Sequence, residues 1–356
     1  GTKKRHVNLC DCTSIQVTSM TMLKIIIDTD PGIDDAQAIA FAIAHPEIEL
    51  LGLTTVYGNA TVDITTQNAL VILNTFGQPQ IPVAKGAADP LRQIRRPSPD
   101  FVHGQDGLGN LNLPKSSNQS IALSAAEFIV QQANAMPGQV TLVAIGPLTN
   151  IALALQLDPK LPSKLRELVV MGGTVKAPGN VTPLAEANFI SDPHAADQVL
   201  AQDWPLTIIG LDVTLQTIIT DSQLSLVHDG AGPMGKFLWN SSRFYANFYT
   251  KQLLAEGLLH ADSTSAFPMH DASAVIFLVE RDAYEMCSGS ARVIYDGLAV
   301  GLLAIDQSTK PHRAPGWRSR PTVRAALQVD AKRVVQVFIE TLTQHPASAA
   351  TDASRN

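Results

Sequence analysis

Only three cysteines, Cys10, Cys12 and Cys287, occur in 356 residues. That is too few for a disulfide scaffold in a chain of this size, and an odd count leaves at least one thiol unpaired, so a reducing compartment, the cytoplasm, is expected. Runs of Lys or Arg are missing as well, and 26 basic residues face 32 acidic ones for a formal net charge of −6. This argues against a surface that follows a phosphate backbone, and so against nucleic acid as a partner. No stretch approaches the roughly 18 consecutive apolar residues of a membrane helix, so no membrane partner is expected. Internal repeats, low-complexity segments and linkers are also lacking. What remains is 45% hydrophobic and 16% charged, enough apolar material for a core and outside the disordered class.

The first residues, GTKKRHVNLCDCTSIQVTSMTM, carry basic residues as a signal peptide does. His6, Asn8, Asp11, Thr13 and Ser14 interrupt the apolar segment such a peptide needs. The Cys10-x-Cys12 pair lacks the second ligand pair of a zinc site. Residues 1–22 are therefore expected to be a disordered extension or an expression remnant, 23–344 one domain, and 345–356 a disordered tail.

From Leu23 the pattern is regular. LKIIID (Leu23 to Asp28) reads as a buried strand, a Pro-Gly loop follows, and apolar periodicity over Asp35 to His45 predicts a helix. The alternation recurs: strand Glu49 to Val56, helix Asp63 to Phe76, a short strand in IPVAK, helix Ser124 to Met136, strand Gln139 to Ile145, then a helix in GPLTNIALALQ with Pro147 in its first turn. Next come strand Glu167 to Gly173, a helix over Ser191 to Gln202 capped by Ser191 or Asp192, and strand Pro205 to Thr214. Asp221 to Gly257 reads as helical and a buried helix starts near His270. ARVIYDGLAVGLLAID and PTVRAALQV read as late strands, with a helix over Asp330 to Gln344 behind them. Strands without polar alternation, separated by helices, indicate an α/β fold: a largely parallel, Rossmann-like central sheet covered on both faces, with its ligand crevice beyond the carboxyl ends of the strands.

The most informative segment is DTDPGIDDAQAI, Asp28 to Ile39. Asp28 and Asp30 are two apart at a strand end, and Asp34 and Asp35 open a helix whose exposed N–H groups favour anions. Either of the latter could serve only as a helix cap, and Asp28 as a satisfied loop residue. Together, four carboxylates at one strand edge repel one another unless a proton or a cation intervenes, and all-oxygen ligands suit Ca²⁺ or Mg²⁺ rather than zinc. The spacing does not match a calcium-binding helix-loop-helix, which needs a Gly at the sixth and a Glu at the twelfth position.

DTDPGIDDAQAI resembles the N-terminal signature of the inosine-uridine preferring nucleoside hydrolases. The likeness continues in order through TTVYGN ending at Asn59, HGQDGLG from His103, AIGPLTNIALA after Val143, MGG from Met171, GNVTPLAEAN (Gly179 to Asn188) and MHDA (Met269 to Ala272). It spans Leu23 to Gln344. The resemblance implies the nucleoside hydrolase fold and a Ca²⁺ ion held by Asp30, Asp35, the main-chain carbonyl of Ile145, and Asp271. It implies that Asp30 is the base that takes a proton from a water on the ion, and that Asp34, Asn59, Asn180, Glu186, Asn188 and Asp271 hold ribose. Cleavage of an N-ribosidic bond makes the sugar oxocarbenium-like, and surrounding carboxylates suit that charge.

His270, with His103 nearby, is implied as the donor to a leaving purine. A His beside an Asp is otherwise often a structural pair. Tyr245 and Tyr249 are implied as a lid that stacks on the base, although aromatics at that spacing also pack in ordinary cores. The glycines of MGG and AIGP read as sites of close backbone approach. The chain departs from the family at Ala187, where relatives carry an aromatic between the Glu and the Asn. Homodimers or homotetramers are the implied assembly, and a small ribonucleoside the substrate.

Two other readings compete. A phosphatase with a DxD motif would use Asp28 as nucleophile and Mg²⁺, but needs Thr or Val where Gly32 stands. A calcium-dependent nucleoside-binding protein would share most of the same residues.

Overall fold

The computed structural model describes residues 22–259, 265–308 and 310–345. The expectations for the two ends, apart from Met22 and His345, lie outside the described residues, as do Cys10 and Cys12. Nine strands form one sheet: β1 (Leu23–Thr29), β2 (Ile48–Thr55), β3 (Val83–Lys85), β4 (Val140–Ala144), β5 (Glu167–Met171), β6 (Leu206–Ile209), β9 (Tyr284–Val293), β10 (Leu303–Asp306) and β11 (Thr322–Val329). Its order is β10-β9-β11-β6-β5-β4-β1-β2-β3. The seven strands from β3 to β11 run parallel, and β9 and β10 close the edge antiparallel. A separate antiparallel ribbon pairs β7 (Ile218–Thr220) with β8 (Ala266–Pro268).

The apolar run of β1 is continuous because both faces of the sheet are covered. Ile25 and Ile27 pack beneath the helix Ile33–Ala44, in the cluster that also takes Phe41 and Phe338. Ile26 faces the opposite cluster, with Ile129 and Ile151 of the helices Ala125–Ala135 and Thr149–Leu157. Chain order reverses between β1 and β4, which places a crevice at their carboxyl ends.

The elements fall close to the expected ones, with informative exceptions. Pro147 lies outside its helix, one residue before the cap Leu148. Asp192, not Ser191, caps Pro193–Leu200, accepting from Ala195 N–H at 3.0 Å. The strand expected through Thr214 stops at Ile209, because Gly210 starts a helical turn, Leu211–Thr214. The late strand begins earlier than expected, at Tyr284, and turns back between Val293 and Leu303. Gly297 (φ 70°) and Gly301 (φ 84°) supply left-handed conformations in that turn. β7 and β8, three residues each, were not anticipated; such short strands carry no readable periodicity.

Candidate active site

The carboxyl ends of β1, β2, β4 and β5 open into a cavity of about 400 Å³. Asp30 follows β1, Asn59 follows β2, Ile145 follows β4, and the loop after β5 brings Asn180, Glu186 and Asn188. His103 comes from a short helix, His270 and Asp271 from the first turn of His270–Ile276, and Tyr245 and Tyr249 from the long helix Gly232–Ala255. Every site residue implied by the family likeness except Asp35 lines this cavity, and Asp35 lies buried directly against Asp30.

Asp35 is the anchor of the acidic cluster. Its Oδ1 accepts from Thr29 Oγ1 (2.5 Å) and Asp30 N–H (3.2 Å), and its Oδ2 from Gly32 N–H and Asn59 Nδ2 (both 3.0 Å). It caps the helix and belongs to the cluster at once, so the two roles weighed for it coexist. Asp30 is half satisfied. Oδ2 accepts from Asn59 N–H at 2.8 Å, while Oδ1 is buried with no partner. Asp34 Oδ1 is likewise buried and unpartnered. An added Cβ at Gly58 would overlap Asp30 Oδ2, and one at Gly146 would stand 2.8 Å from Oδ1, so close backbone approach requires glycine there.

Asp28 does not join the cluster, contrary to the sequence expectation. It lies within β1, where Thr54 Oγ1 (2.5 Å) and Asn150 Nδ2 (2.8 Å) donate to Oδ1, whereas Asp30 lies beyond the strand's end at Thr29, so the pleat no longer aligns the two. Burial pushes it up to about 7 against those hydrogen bonds. Asp271, 243 positions beyond Asp28, takes the fourth place. One carboxylate oxygen each from Asp34, Asp35 and Asp271 lie within 4.8 Å of one another.

Burial and mutual repulsion dominate the electrostatics. Burial, then the charge of Asp35, raises Asp30 well above the usual carboxylate range. The same two causes raise Asp34 to about 8. Burial, then the charges of Asp34, Asp35 and Asp30, raise Asp271. Two orphaned oxygens and several crowded acids fit a hard divalent cation, which would take up the free lone pairs and remove the repulsion.

Glu186, Asn188 and Asn180, on the loop after β5, are held by the backbone. Glu186 caps the helix Ala187–Ser191, accepting from Asn188 N–H (2.8 Å), Phe189 N–H (3.1 Å) and Gly173 N–H (2.8 Å), and burial raises it to about 7. Asn188 Nδ2 donates to the carbonyls of Ile145 and Met171, both at 3.0 Å. Asn180 Oδ1 accepts from Ala187 N–H at 3.0 Å.

The opposite wall is aromatic. Tyr245 and Tyr249 are buried, with ring centroids 4.6 Å apart; Tyr245 lies 5.4 Å from His103 and Tyr249 lies 5.8 Å from His270. His103 Nδ1 accepts from Ile33 N–H at 3.3 Å, which leaves the ring proton on Nε2 in the neutral tautomer. His270 Nδ1 is 2.8 Å from Thr214 Oγ1, and its Nε2 is buried without a partner. Burial lowers His270 to about 4; burial and then the charge of His270 lower His103 to about 3. Both are neutral at pH 7, which differs from the near-neutral titration an exposed imidazole would give.

Sequence reasoning missed Thr29, although it sits inside the acidic signature, and Thr214, whose 56-residue separation from His270 leaves no local signal.

The model of the inosine-uridine preferring nucleoside hydrolases matches residues 25–336. This chain belongs to that family. It is therefore a hydrolase that cleaves the N-glycosidic bond of ribonucleosides. A probable uridine nucleosidase 1 of Oryza sativa subsp. japonica is 37% identical over 324 residues, covering 91% of this chain and 97% of the relative. The structure of a plant nucleoside hydrolase superposes with a TM-score of 0.84 at 37% identity, over 90% of this chain and 99% of the other. A purine-preferring ribonucleoside hydrolase from Gardnerella vaginalis gives 0.81 at 31% identity, over 90% and 98%. Membership of the nucleoside hydrolases removes the phosphatase and the non-catalytic readings. The first also fails locally, because Asp28 is tied to Thr54 and Asn150 and does not line the cavity. Among the described residues no helix is long and apolar enough to cross a membrane.

Proposed function

We propose that this nucleoside hydrolase works with Ca²⁺ held by Asp30, Asp35, Asp271 and the main-chain oxygen of Ile145, and releases ribose and a free base. The observation that carries the reading is the buried, unpartnered Oδ1 of Asp30 in a pocket crowded with acids. The ion, when bound, supplies the positive charge that ionises these carboxyls and acidifies the attacking water.

Asp30 would accept the proton of the attacking water at the carboxylate it presents to the cavity, with Asn59 N–H fixing the orientation of that group through Oδ2. Attack comes from the face opposite the base, as in an inverting glycosidase. Each asparagine is tied at one end and presents the other to ribose: Asn59 and Asn188 offer Oδ1, and Asn180 offers Nδ2. Asp34, Glu186 and Asp271 complete the hydroxyl contacts, and their charge stabilises the oxocarbenium-like sugar more than the neutral substrate. In the neutral tautomer protonated on Nε2, His270 accepts from Thr214 Oγ1 at Nδ1 and offers the departing base a hydrogen bond from Nε2–H, which stabilises the charge that develops on it. His103, Tyr245 and Tyr249 enclose the base. A cytoplasmic location and a homodimer or homotetramer belong to the same proposal, supported by the cysteine-poor composition and the family likeness.

Reducing-sugar release from inosine, uridine, cytidine and adenosine tests it. Ribose formation that stops with a chelator and returns with Ca²⁺ is expected; turnover indifferent to chelation would refute the ion's role.

A further inference from the structure

We infer that the sugar site continues past Ala187 into a second chamber shaped for an apolar substituent on C5′, so that 5′-deoxy-5′-alkylthio ribonucleosides are substrates as well as unsubstituted ones. The inference rests on the proposed seat of ribose over Asp30. A chamber of about 390 Å³ adjoins the main cavity, and Asp30, Asn59, Ala187 and Asn188 line both. His103, Tyr245 and His270 line only the main cavity, whereas Tyr57, Ser98 and Ile190 line only the second. The base leaves ribose at C1′ and the C5′ group at C4′, on either side of the ring oxygen. A sugar on the shared wall with its base toward the histidines therefore points C5′ toward Tyr57 and Ile190.

Ala187 stands at the seam, between Glu186 and Asn188, and contributes only a methyl group. Phe101 and Val181, 65% and 42% exposed, also line both chambers. Large apolar side chains left in water at the junction of two cavities gain by being covered, which an alkyl group does and a hydroxyl does not. A 5′-phosphate fits less well. Asp30 and Asp100 face the chamber against a single cation, the exposed Arg96.

The test compares kcat/KM for uridine and inosine, their 5′-methylthio and 5′-butylthio derivatives, and their 5′-monophosphates, in the wild type, Ala187→Phe and Ser98→Trp. The wild type is expected to cleave the thioethers within about tenfold of the parents, and each variant to lower the thioether-to-parent ratio by about tenfold or more. Ser98 lies in a loop, so that variant decides the matter if Ala187→Phe fails to fold. Parents cleaved but thioethers refused, a ratio unmoved by Ser98→Trp, or preference for the monophosphates would each overturn the inference. Inactivity on every substrate, parents included, would instead bring down the seat of ribose beneath it.

Discussion

Two buried aspartates, one at the carboxyl edge of the sheet and one on a helix that flanks it, are finished in different ways. Asp197, on the helix Pro193–Leu200, receives Arg292 through Nε and Nη2 (both 2.8 Å), Arg320 Nη2 (2.6 Å) and Val293 N–H (2.9 Å). Both its oxygens are used, and it joins that helix to β9. Asp30 keeps one oxygen without any partner and is crowded by other acids. A buried carboxylate whose lone pairs are all used is a structural joint. One left open toward a cavity, at a cost the fold must bear elsewhere, is poised for something that arrives later.

The sharpest way to break this contrast is Asp30→Ala. It should lower kcat by about 10³-fold or more, roughly 4 kcal/mol of barrier, with the thermal unfolding midpoint nearly unchanged. A loss under tenfold would sink the role of base. Asp197→Ala should do the reverse. It strands two arginines and should lower unfolding free energy by about 3 kcal/mol, the low end for a buried pair because this one is partly solvated, with kcat per folded molecule retained.

His270→Ala should reduce kcat/KM on inosine by about 100-fold, equivalent to about 2.7 kcal/mol, and less on uridine. Equal losses on both bases would remove its leaving-group role. Ion binding should then appear as stability. Asp28 and Asp34 have folded-state pKa values raised to about 7 and about 8, so their contribution is fully present below about pH 4 and lost as pH rises through 7 and 8. Without ion the unfolding midpoint should fall between pH 5 and 9. Ca²⁺ at 100 times its dissociation constant should restore about 2.7 kcal/mol, and a midpoint indifferent to Ca²⁺ would count against the site. The smallest effect is a control remote from both aspartates: Ser124→Ala, which removes a capping box with Glu127, should cost about 1 kcal/mol and leave activity alone.

Much of this was legible because the signals are local. The hydrophobic run of β1, the Pro-Gly turn and the two acids opening the next helix follow one another within thirteen residues, Leu23 to Asp35, and the strand-helix alternation already implies a parallel sheet. Asp28 shows where this stops. Spacing placed it with Asp30, but the chain leaves the strand at Thr29, so the two no longer share a face. The helical turn after Gly210 was hidden for the same kind of reason: an apolar segment reads alike as strand or buried helix, and only packing chose.

The sequence by itself determined the parallel α/β architecture, the acidic edge of the first strand and the family, since periodicity and ordered motifs need no tertiary contact to be read. Tertiary structure alone decided which acids meet, that Asp271 and not Asp28 completes the group, that His270 leans on Thr214, and that a second chamber opens beside Ala187. Those outcomes depend on side chains far apart in the chain sharing one desolvated volume, and burial, which sets both their orphaned oxygens and their displaced pKa values, is a property of the fold rather than of any segment.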